Sequence, residues 1–146
     1  MFKRILLATD GSSASDHAAR LAVTLAREQG AQLTALYVVD PYPYLGIGEV
    51  NPVGFDAYMA AARDFASQAH ARVDAVAREA SPPLELNVRL IEDVGAVEGI
   101  LRAAKDDDSD LIIVGSHGRS GIGRVLLGSV AGKVVAHSPV PVLVVR

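Results

Sequence analysis

Apolar and polar residues form two kinds of segment that alternate along the chain. Five short apolar runs, rich in β-branched residues, are typical of buried parallel strands. Between them, apolar residues recur every three or four positions, which predicts amphipathic helices. This alternation predicts βαβ crossovers and an α/β, Rossmann-like fold: an open five-stranded parallel sheet with helices on both faces. The predicted strands cover residues 3–9, 32–39, 84–91, 110–115 and 140–145.

The helices are predicted from apolar stripes and from residues that begin or end helices. Ser12 or Ser13 is available as the first N-cap, and Gly30 is a typical residue to end that helix. The first stripe consists of Ala18, Leu21, Ala22 and Leu25. The second, predicted over residues 58–80, consists of Tyr58, Ala62, Phe65, Ala69, Val73 and Val76. A third helix is predicted over residues 96–105, and a fourth begins at Ser129.

Residues 40–57 interrupt the alternation, because they are rich in proline and glycine and show no helical or strand period. Loops of this length are uncommon in compact domains and are usually functional or disordered. Tyr42 and Tyr44 favour a lid or a partner surface beside a ligand site. A poorly ordered excursion fits the composition equally well, so both interpretations stay open.

Composition limits the classes of protein to consider. The chain has 146 residues, of which 50% are apolar and 21% charged, and we expect residues 1–146 to form a single domain. It has no cysteine, which excludes disulfides and thiolate metal sites. A net charge of −3 without a long basic run argues against nucleic acid as a partner. No apolar run has the length of a secretory signal core or of a membrane span, so we expect a cytoplasmic protein without membrane contact.

A glycine-rich segment near the end of the chain carries the strongest functional signal. The fourth predicted strand runs directly into Gly115-Ser116-His117-Gly118, and Gly128-Ser129 follows at the start of a helix. Glycines let a backbone approach a ligand closely, and the amides at a helix N-terminus are unpaired donors that bind phosphate. The spacing matches neither a Walker A loop nor the Gly-x-Gly-x-x-Gly fingerprint. The segment therefore predicts a phosphate-binding cradle of another kind.

Asp10 ends the first strand and is predicted to face the same crevice. Ligands of open parallel sheets bind beyond the carboxyl ends of the strands, where the strand order reverses. A carboxylate there would accept hydrogen bonds from ribose hydroxyls or an adenine amine, or help to hold Mg²⁺. The alternative is that Asp10-Gly11 serves only as a turn.

Charged residues and histidines near the cradle are weaker candidates. Arg119 and Arg124 flank the predicted phosphates, and Lys133 lies one turn beyond Ser129; solvated loop or helix positions are the alternatives. His117 is expected to stack on a sugar or to cap the loop, because no Ser/His/Asp spacing supports catalysis. The remaining histidines are expected at the surface or its boundary, and no spacing predicts a metal site.

Five segments spread over essentially the whole chain have a characteristic sequence. They are Arg4-Ile5-Leu6-Leu7-Ala8-Thr9-Asp10-Gly11-Ser12, Leu36-Tyr37-Val38-Val39-Asp40, Ile113-Val114-Gly115-Ser116-His117-Gly118-Arg119-Ser120-Gly121, Leu126-Leu127-Gly128-Ser129-Val130-Ala131 and Ser138-Pro139-Val140-Pro141-Val142-Leu143-Val144-Val145. Together they resemble the universal stress protein family, and the glycine spacing is similar to that of its ATP-binding branch. The resemblance implies a five-stranded parallel sheet of order 3-2-1-4-5 and a homodimer.

The resemblance also implies roles for single residues. Asp10 would contact the adenosine end of ATP, Ala8 and Thr9 would line the same wall, and Val38 would pair with adenine through its backbone. Gly115 and Gly118 would let the loop close over ribose and phosphates. Phosphate binding through amides and one hydroxyl is implied for Gly128, Ser129 and Val130.

The last strand suggests how two copies would associate. In the order 3-2-1-4-5 the segment from Val140 to Val145 is an edge strand, and a bare apolar edge favours aggregation. Antiparallel pairing with the same strand of a second copy would cover it with two-fold symmetry. The alternative is that helices or loops cover the edge, with Pro141 limiting further pairing.

These observations predict an ATP-binding stress-response or regulatory module, with Mg²⁺ on the nucleotide, whose nucleotide state an unidentified protein partner reads. No general base for water and no P-loop lysine is evident, so at most slow hydrolysis is expected and the chain is not assigned as an enzyme. Alternatives are a slow ATPase, or a switch that phosphorylates itself on Ser116, Ser120 or Ser129. A nucleotide-free dimeric scaffold is a further alternative, and a relative of the electron-transfer flavoprotein subunits is a weaker one.

Overall fold

Strands and helices alternate through the parts of the chain that the computed structural model describes, which are residues 1–41, 52–117 and 127–146. The elements in chain order are β1 (Arg4–Ala8), α1 (Ser13–Gln29), β2 (Gln32–Val38), α2 (Pro52–Glu79), β3 (Leu86–Ile91), α3 (Ala96–Asp106), β4 (Leu111–Gly115), α4 (Ser129–His137) and β5 (Val142–Val145). No helix of these ranges is long and apolar enough to cross a membrane.

The five strands form one sheet in the order β3-β2-β1-β4-β5, and all neighbouring strands are parallel. The predicted sheet and its order are therefore confirmed. β1 lies at the centre, where Ala8 pairs with Leu36 on one side and Leu7 pairs with Ile113 on the other. The chain crosses from one half of the sheet to the other beside β1, which creates a crevice beyond its carboxyl end.

The central strands β1 and β4 are apolar on both faces because helices cover each face, whereas the edge strand β3 is largely exposed. Ile5 and Leu7 point to the side that carries α1 and α2, whereas Leu6 points to the side that carries α3 and α4. Leu6 and Leu7 are fully buried, which explains why the strands read as continuous apolar runs and not as alternating ones.

Helix α1 begins and ends where the sequence indicates, although its first turn is held differently. Ser12 is the N-cap residue and Gly30 ends the helix in the left-handed conformation, with φ of 64°. The Ser12 hydroxyl makes no cap bond and instead donates to Asp10 Oδ1 at 2.5 Å. Leu21, which the predicted stripe placed in the core, is 38% exposed, because Ala19 and Val23 take part in the buried face beside Ala22.

Helix α2 begins at Pro52, so the prediction of irregular structure over residues 40–57 was wrong for its last part. Proline is compatible with the first turn of a helix, since that turn needs no amide donor and the ring presets φ. The proline and Gly54 nevertheless read as loop residues in the sequence. Tyr42 and Tyr44 lie outside the described residues.

The predicted stripe of α2 is confirmed except at Phe65, because Ala69 and Val73 are buried and the other stripe residues pack partly buried against the core. The fully buried residues of the helix are Met59, Ala66, Ala69, Val73 and Ala77. Phe65 was predicted to belong to the core, but its side chain is 54% exposed. Small alanine side chains let the helix lie close to the sheet, whereas the larger aromatic residue projects from the edge of this contact.

Charged side chains hold the amino ends of the strands together. The Asp110 carboxylate accepts hydrogen bonds from the amides of Lys3 and Arg4, at 2.8 and 3.1 Å. Nearby, Arg89 of β3 forms ion pairs with Asp106 and Asp107 at the end of α3. These contacts lie at the end of the sheet opposite to the crevice.

Candidate functional site

A cavity of about 420 Å³ lies at the carboxyl ends of β1, β2 and β4. Its volume falls in the range of roughly 300–1,000 Å³ that is typical of small-molecule sites. Helices α2 and α3 form two of its walls, and the first turn of α4 forms another. The cavity therefore occupies the place where ligands of open parallel sheets bind.

The predicted site residues that the structure describes all line this one cavity. They are Ala8, Thr9, Asp10, Val38, Gly115, His117, Gly128, Ser129 and Val130. Gly118 and Arg119 lie outside the described residues, as do Ser120 and Arg124. The cavity thus brings together segments that are far apart in the chain. Lys133, a weaker candidate, is exposed on α4 and is not among the lining residues.

The Asp10 carboxylate is held in a fixed orientation at the cavity wall. Its Oδ1 accepts hydrogen bonds from the Ser12 amide at 2.9 Å and from the Ser12 hydroxyl at 2.5 Å. The next residue, Gly11, has φ of 75°, a backbone conformation that residues with a side chain rarely adopt. A Cβ at Gly11 would lie 3.1 Å from Ala69 Cβ. The glycine thus allows both the turn and the close approach of α2.

Arg72 of α2 ties this turn to the helix beneath it. One guanidinium nitrogen donates to the Gly11 carbonyl at 2.8 Å, and another donates to Asp16 Oδ2 of α1 at 2.6 Å. Both contacts lie on the segment that directly follows Asp10. Arg72 is not a lining residue itself, but it thereby holds the backbone next to the Asp10 carboxylate.

Val38 presents backbone groups to the cavity. The carbonyl of Leu36 accepts the Thr9 amide at 2.9 Å on the β1 side, and the Val39 amide donates to Ile91 on the β3 side at 2.8 Å. Successive residues of a strand point their backbone groups to opposite sides. The amide and carbonyl of Val38 therefore point to the β1 side, beyond the residue at which β1 ends.

Gly99 of α3 sets the position of the Val38 side chain. A Cβ at Gly99 would lie 2.8 and 2.9 Å from the two methyl groups of Val38, which is closer than any real contact. Helix and strand can approach this closely only because the glycine has no side chain. A side chain at position 99 would therefore displace Val38.

Ser116 joins three segments at the phosphate end of the predicted cradle. Its amide donates to the Val145 carbonyl of β5, and its own carbonyl accepts the Gly128 amide, both at 2.7 Å. A Cβ at Gly128 would lie 2.7 Å from that carbonyl oxygen. The backbone of Ser116 is thus fixed from both sides, and Gly128 cannot carry a side chain without moving it.

The first turn of α4 lies at the cavity. Gly132 makes the first hydrogen bond of the helix, to the Gly128 carbonyl at 2.9 Å. The amides of Ser129, Val130 and Ala131 precede it and have no partner within the helix, and all three residues line the cavity. Amides in this position, together with the positive end of the helix dipole, are suited to bind an anion.

The serine and histidine of the glycine segment contact each other. Ser116 Oγ lies 3.1 Å from His117 Nδ1, and both side chains line the cavity. Ser116 is only 7% exposed. Sequence reasoning placed His117 in the site but did not find this pair, because two adjacent residues have no characteristic spacing.

The wall formed by α2 was missed from the sequence. Ala61, Ala62 and Phe65 line the cavity from this helix, beside Tyr58, whose hydroxyl donates to the Asp40 carbonyl at 2.8 Å. Tyr58, Ala62 and Phe65 belonged to the apolar stripe of the predicted second helix, and Ala61 lay outside it. Phe65 fits the three-and-four spacing of that stripe, so no sequence signal distinguished it from a core residue.

Known proteins bear out the family that the sequence resembles. The profile described as the universal stress protein family matches residues 1–146. The chain belongs to the universal stress protein family. A universal stress protein of Thermus aquaticus is 37% identical over 147 residues, which cover 100% of both chains.

Solved structures of the family share the fold. The universal stress protein UspA of Lactobacillus plantarum superposes with a TM-score of 0.82 at 28% identity, over 99% of this chain and 97% of that one. A universal stress protein solved in complex with cAMP has a TM-score of 0.68 at 25% identity, over 99% and 97%. A member of the family with this fold thus binds an adenine nucleotide.

Proposed function

We propose that this universal stress protein is a regulatory module that binds ATP in the cavity and whose nucleotide state a partner protein reads. One observation carries the proposal: the open amides of α4 and the fixed carboxylate of Asp10 face a single cavity between them. The amides suit phosphate oxygens, and the carboxylate suits hydroxyl or amine donors of a nucleoside. The cAMP complex of a relative supports an adenine nucleotide as the ligand class.

The lining of the cavity fits a nucleotide from end to end. Apolar side chains of β2, β4 and α3 form a wall suited to a flat base; they include Leu36, Val38, Ile100 and Val114. The backbone amide and carbonyl of Val38 match the donor and acceptor edge of adenine. The anion site at α4 lies at the other side, so the phosphates would extend toward Ser129.

Mg²⁺ would be held mainly by the phosphates. Within residues 1–41, 52–117 and 127–146, no group of three or more histidine, cysteine or acidic side chains has the geometry of a metal site. Magnesium usually keeps several waters and takes one or two carboxylates together with the phosphates. Asp10 is the carboxylate at the cavity wall that would assist.

Calorimetric titration of the nucleotide-stripped protein with MgATP, with AMP as the control, tests the proposal. A dissociation constant below about 1 mM, roughly −4 kcal/mol, is expected for ATP, and weaker binding is expected for AMP. The difference would report phosphate binding at α4. Absence of heat with either ligand would reject the proposal and favour the nucleotide-free scaffold.

We also propose a homodimer formed by antiparallel pairing of β5 from two copies in the cytoplasm. β5 is an edge strand. The carbonyls of Pro141 and Val145 face β4 and accept hydrogen bonds from the amides of Ile112 and Ser116. The backbone groups of Val142 and Val144 therefore point to the open edge.

The variant Val144→Pro tests this dimer, because it removes one outward amide without removing a bond to β4. Sedimentation equilibrium should then show a monomer. A dimer that persists would point to another interface.

A further inference from the structure

We infer that Phe65 of α2 is the residue that selects the base of the bound nucleotide, by stacking on a purine ring. The inference rests on the proposed nucleotide site and names a determinant of its specificity. Its central observation is that Phe65 lines the cavity while 54% of its surface is exposed. Phenylalanine is among the residues most often buried, so an exposed ring in a cavity wall offers a ligand a large apolar contact surface.

One face of α2 packs in the core along part of its length and lines the cavity along the rest. Four residues at the three-and-four spacing of a helix face line the cavity. They are Tyr58, Ala61, Ala62 and Phe65. Two turns farther along the helix, Val73 is 2% exposed and belongs to the core. Phe65 therefore stands where this face of the helix passes from the core to the cavity.

The wall formed by α2 lies on the opposite face of the sheet from the wall already assigned to the base. Val38 packs with the buried cluster of α3 and α4, whereas its neighbours Tyr37 and Val39 pack with the cluster of α2. Residues of both clusters line the cavity, so it extends across the carboxyl end of the sheet. A ligand that contacts both walls must carry a flat group that reaches from Val38 to Phe65.

A purine meets this requirement better than a pyrimidine does. With the donor and acceptor edge of the six-membered ring on the backbone of Val38, the fused five-membered ring lies on the side away from the strand and extends the flat surface across the cavity. A pyrimidine in the same place lacks that ring and presents less surface to Phe65. Stacking alone tolerates every base, because each has a flat face, so the selection arises from the reach of the larger ring system.

The α2 wall is tied to the strand that would hold the base. The Tyr58 hydroxyl donates to the Asp40 carbonyl at 2.8 Å, just beyond the end of β2. The residues between the two aromatic side chains, Ala61 and Ala62, end at Cβ, so the wall is recessed beside Phe65. The bond of Tyr58 thus holds the helix face that carries Phe65 in place relative to the backbone of β2.

Comparison with other exposed apolar side chains singles out Phe65. Among the large apolar residues that are exposed in the described ranges, Phe65 and Val130 line the cavity. Val130 stands in the first turn of α4, at the end of the cavity suited to phosphates, and it has no ring. Leu21 and Val88 are also exposed but lie away from the lining. Phe65 is therefore the exposed aromatic residue placed to contact a base.

Calorimetric titration of Phe65→Ala tests the inference. ATP should bind about tenfold more weakly than to the natural chain, because base stacking is lost. The affinity for CTP should fall less. Inorganic tripolyphosphate, which offers α4 only phosphates, should bind as it does to the natural chain. Leu21→Ala removes an exposed apolar side chain of α1 outside the cavity and, as the matched control, should leave all three affinities unchanged.

Phe65→Trp provides a second, spectroscopic measurement. The natural chain contains no tryptophan, so the new indole is the single tryptophan of the variant. Stacking on the base should quench its fluorescence when MgATP is added, whereas tripolyphosphate with Mg²⁺ should leave it unchanged. Since Phe65 is more than half exposed, both substitutions are expected to leave the chain folded.

The outcomes separate the inference from the proposed function. If Phe65→Ala leaves ATP affinity unchanged, or if ATP binds Phe65→Trp without a change in fluorescence, the inference is overturned and the nucleotide site stands. An equal loss for ATP and CTP overturns the selection of purines, and a matching loss for tripolyphosphate would show a general distortion of the cavity. Absence of ATP binding to the natural chain overturns both the inference and the proposed function.

Discussion

Gly128 donates its amide to the Ser116 carbonyl at 2.7 Å, and a Cβ at Gly128 would lie at the same distance from the same oxygen. The contact that joins the end of β4 to the start of α4 therefore exists only with glycine at this position. It sets where the open amides of α4 stand relative to the rest of the cavity.

Gly128→Ala should consequently disturb the anion site. The added methyl group cannot coexist with the Ser116 carbonyl, so the backbone at one of the two residues must move. We expect a loss of stability of about 1–3 kcal/mol, as for other overpacked sites, and at least a tenfold loss of ATP affinity. Urea unfolding and calorimetric titration measure the two effects.

Gly132→Ala is the matched control on the same helix. The nearest atom to a Cβ at Gly132 is Leu127 Cδ2 at 3.7 Å, an ordinary contact. Alanine in a helix interior is more favourable than glycine by up to about 1 kcal/mol, so this variant should be as stable as the natural chain or more so. Equal damage by both substitutions would contradict the role given to Gly128.

Arg72→Ala should weaken nucleotide binding although Arg72 does not line the cavity. Removal of the guanidinium frees the Gly11 carbonyl and Asp16, so the turn that carries Asp10 becomes less ordered. We expect an affinity loss of roughly tenfold. Stability should fall by no more than about 1 kcal/mol, because the ion pair is largely solvent-exposed.

Arg78→Ala serves as the comparison for Arg72→Ala. Arg78 pairs with Asp74 at 2.7 Å one turn away on the same helix, and its side chain is 78% exposed. Its loss should leave ATP affinity unchanged. A similar drop in affinity for both variants would mean that the effect comes from the charge of α2 and not from the Gly11 contact.

Gly99→Ala tests the packing of Val38 between α3 and β2. The new methyl group would press on both Val38 methyl groups, and we expect a destabilisation of about 1–3 kcal/mol in urea unfolding. Val38→Ala in the same chain should recover part of this loss because it removes the clashing atoms. If the two substitutions are additive, the contact between them is not the cause.

His70 should make stability depend on pH. Its Nε2 is buried without a hydrogen-bond partner among the described residues, and burial lowers the pKa of the imidazole, which backbone groups of Arg89 and Ala35 offset only in part. The folded chain thus favours neutral His70, while the unfolded chain takes up the proton first as pH falls. The free energy of unfolding should decrease as pH falls below about 7, and it should be insensitive to this group above that value.

His70→Gln should flatten that dependence. His137→Gln, which removes an exposed histidine of α4, should keep it. Urea midpoints measured for the three proteins between about pH 5 and 8 provide the comparison. An identical slope in His70→Gln would show that another group governs the loss of stability in acid.

The sequence predicted the centre of the sheet well because the central strands β1 and β4 are buried on both faces. Continuous apolar runs such as Leu111–Gly115 have few alternatives to a central strand, and Gly30 could end a helix in the left-handed conformation. The start of α2 was missed because proline and glycine, here Pro52 and Gly54, occur both in the first turn of a helix and in loops. Composition does not distinguish the two without the partner to which the helix packs.

The candidate site was predicted where backbone chemistry defines it and missed where tertiary packing defines it. Gly128 and Ser129 are recognisable from the chain, since a helix start after a glycine has open amides in any context. Phe65 and Ser15 line the cavity because of where α2 and α1 lie, and no local pattern reports that. Arg72 acts over 61 positions of sequence through Gly11, which only the folded chain reveals.

The ionic contacts at the amino ends of the strands have a consequence for how this chain can evolve. Asp110, Arg89 and their partners stabilise the sheet at the end remote from the cavity. Substitutions there can raise or lower stability while ligand selectivity is retained. Substitutions that raise the free energy of unfolding at one end of the molecule could therefore offset destabilising substitutions in the cavity at the other end. New ligand preferences are then accessible without a change of scaffold.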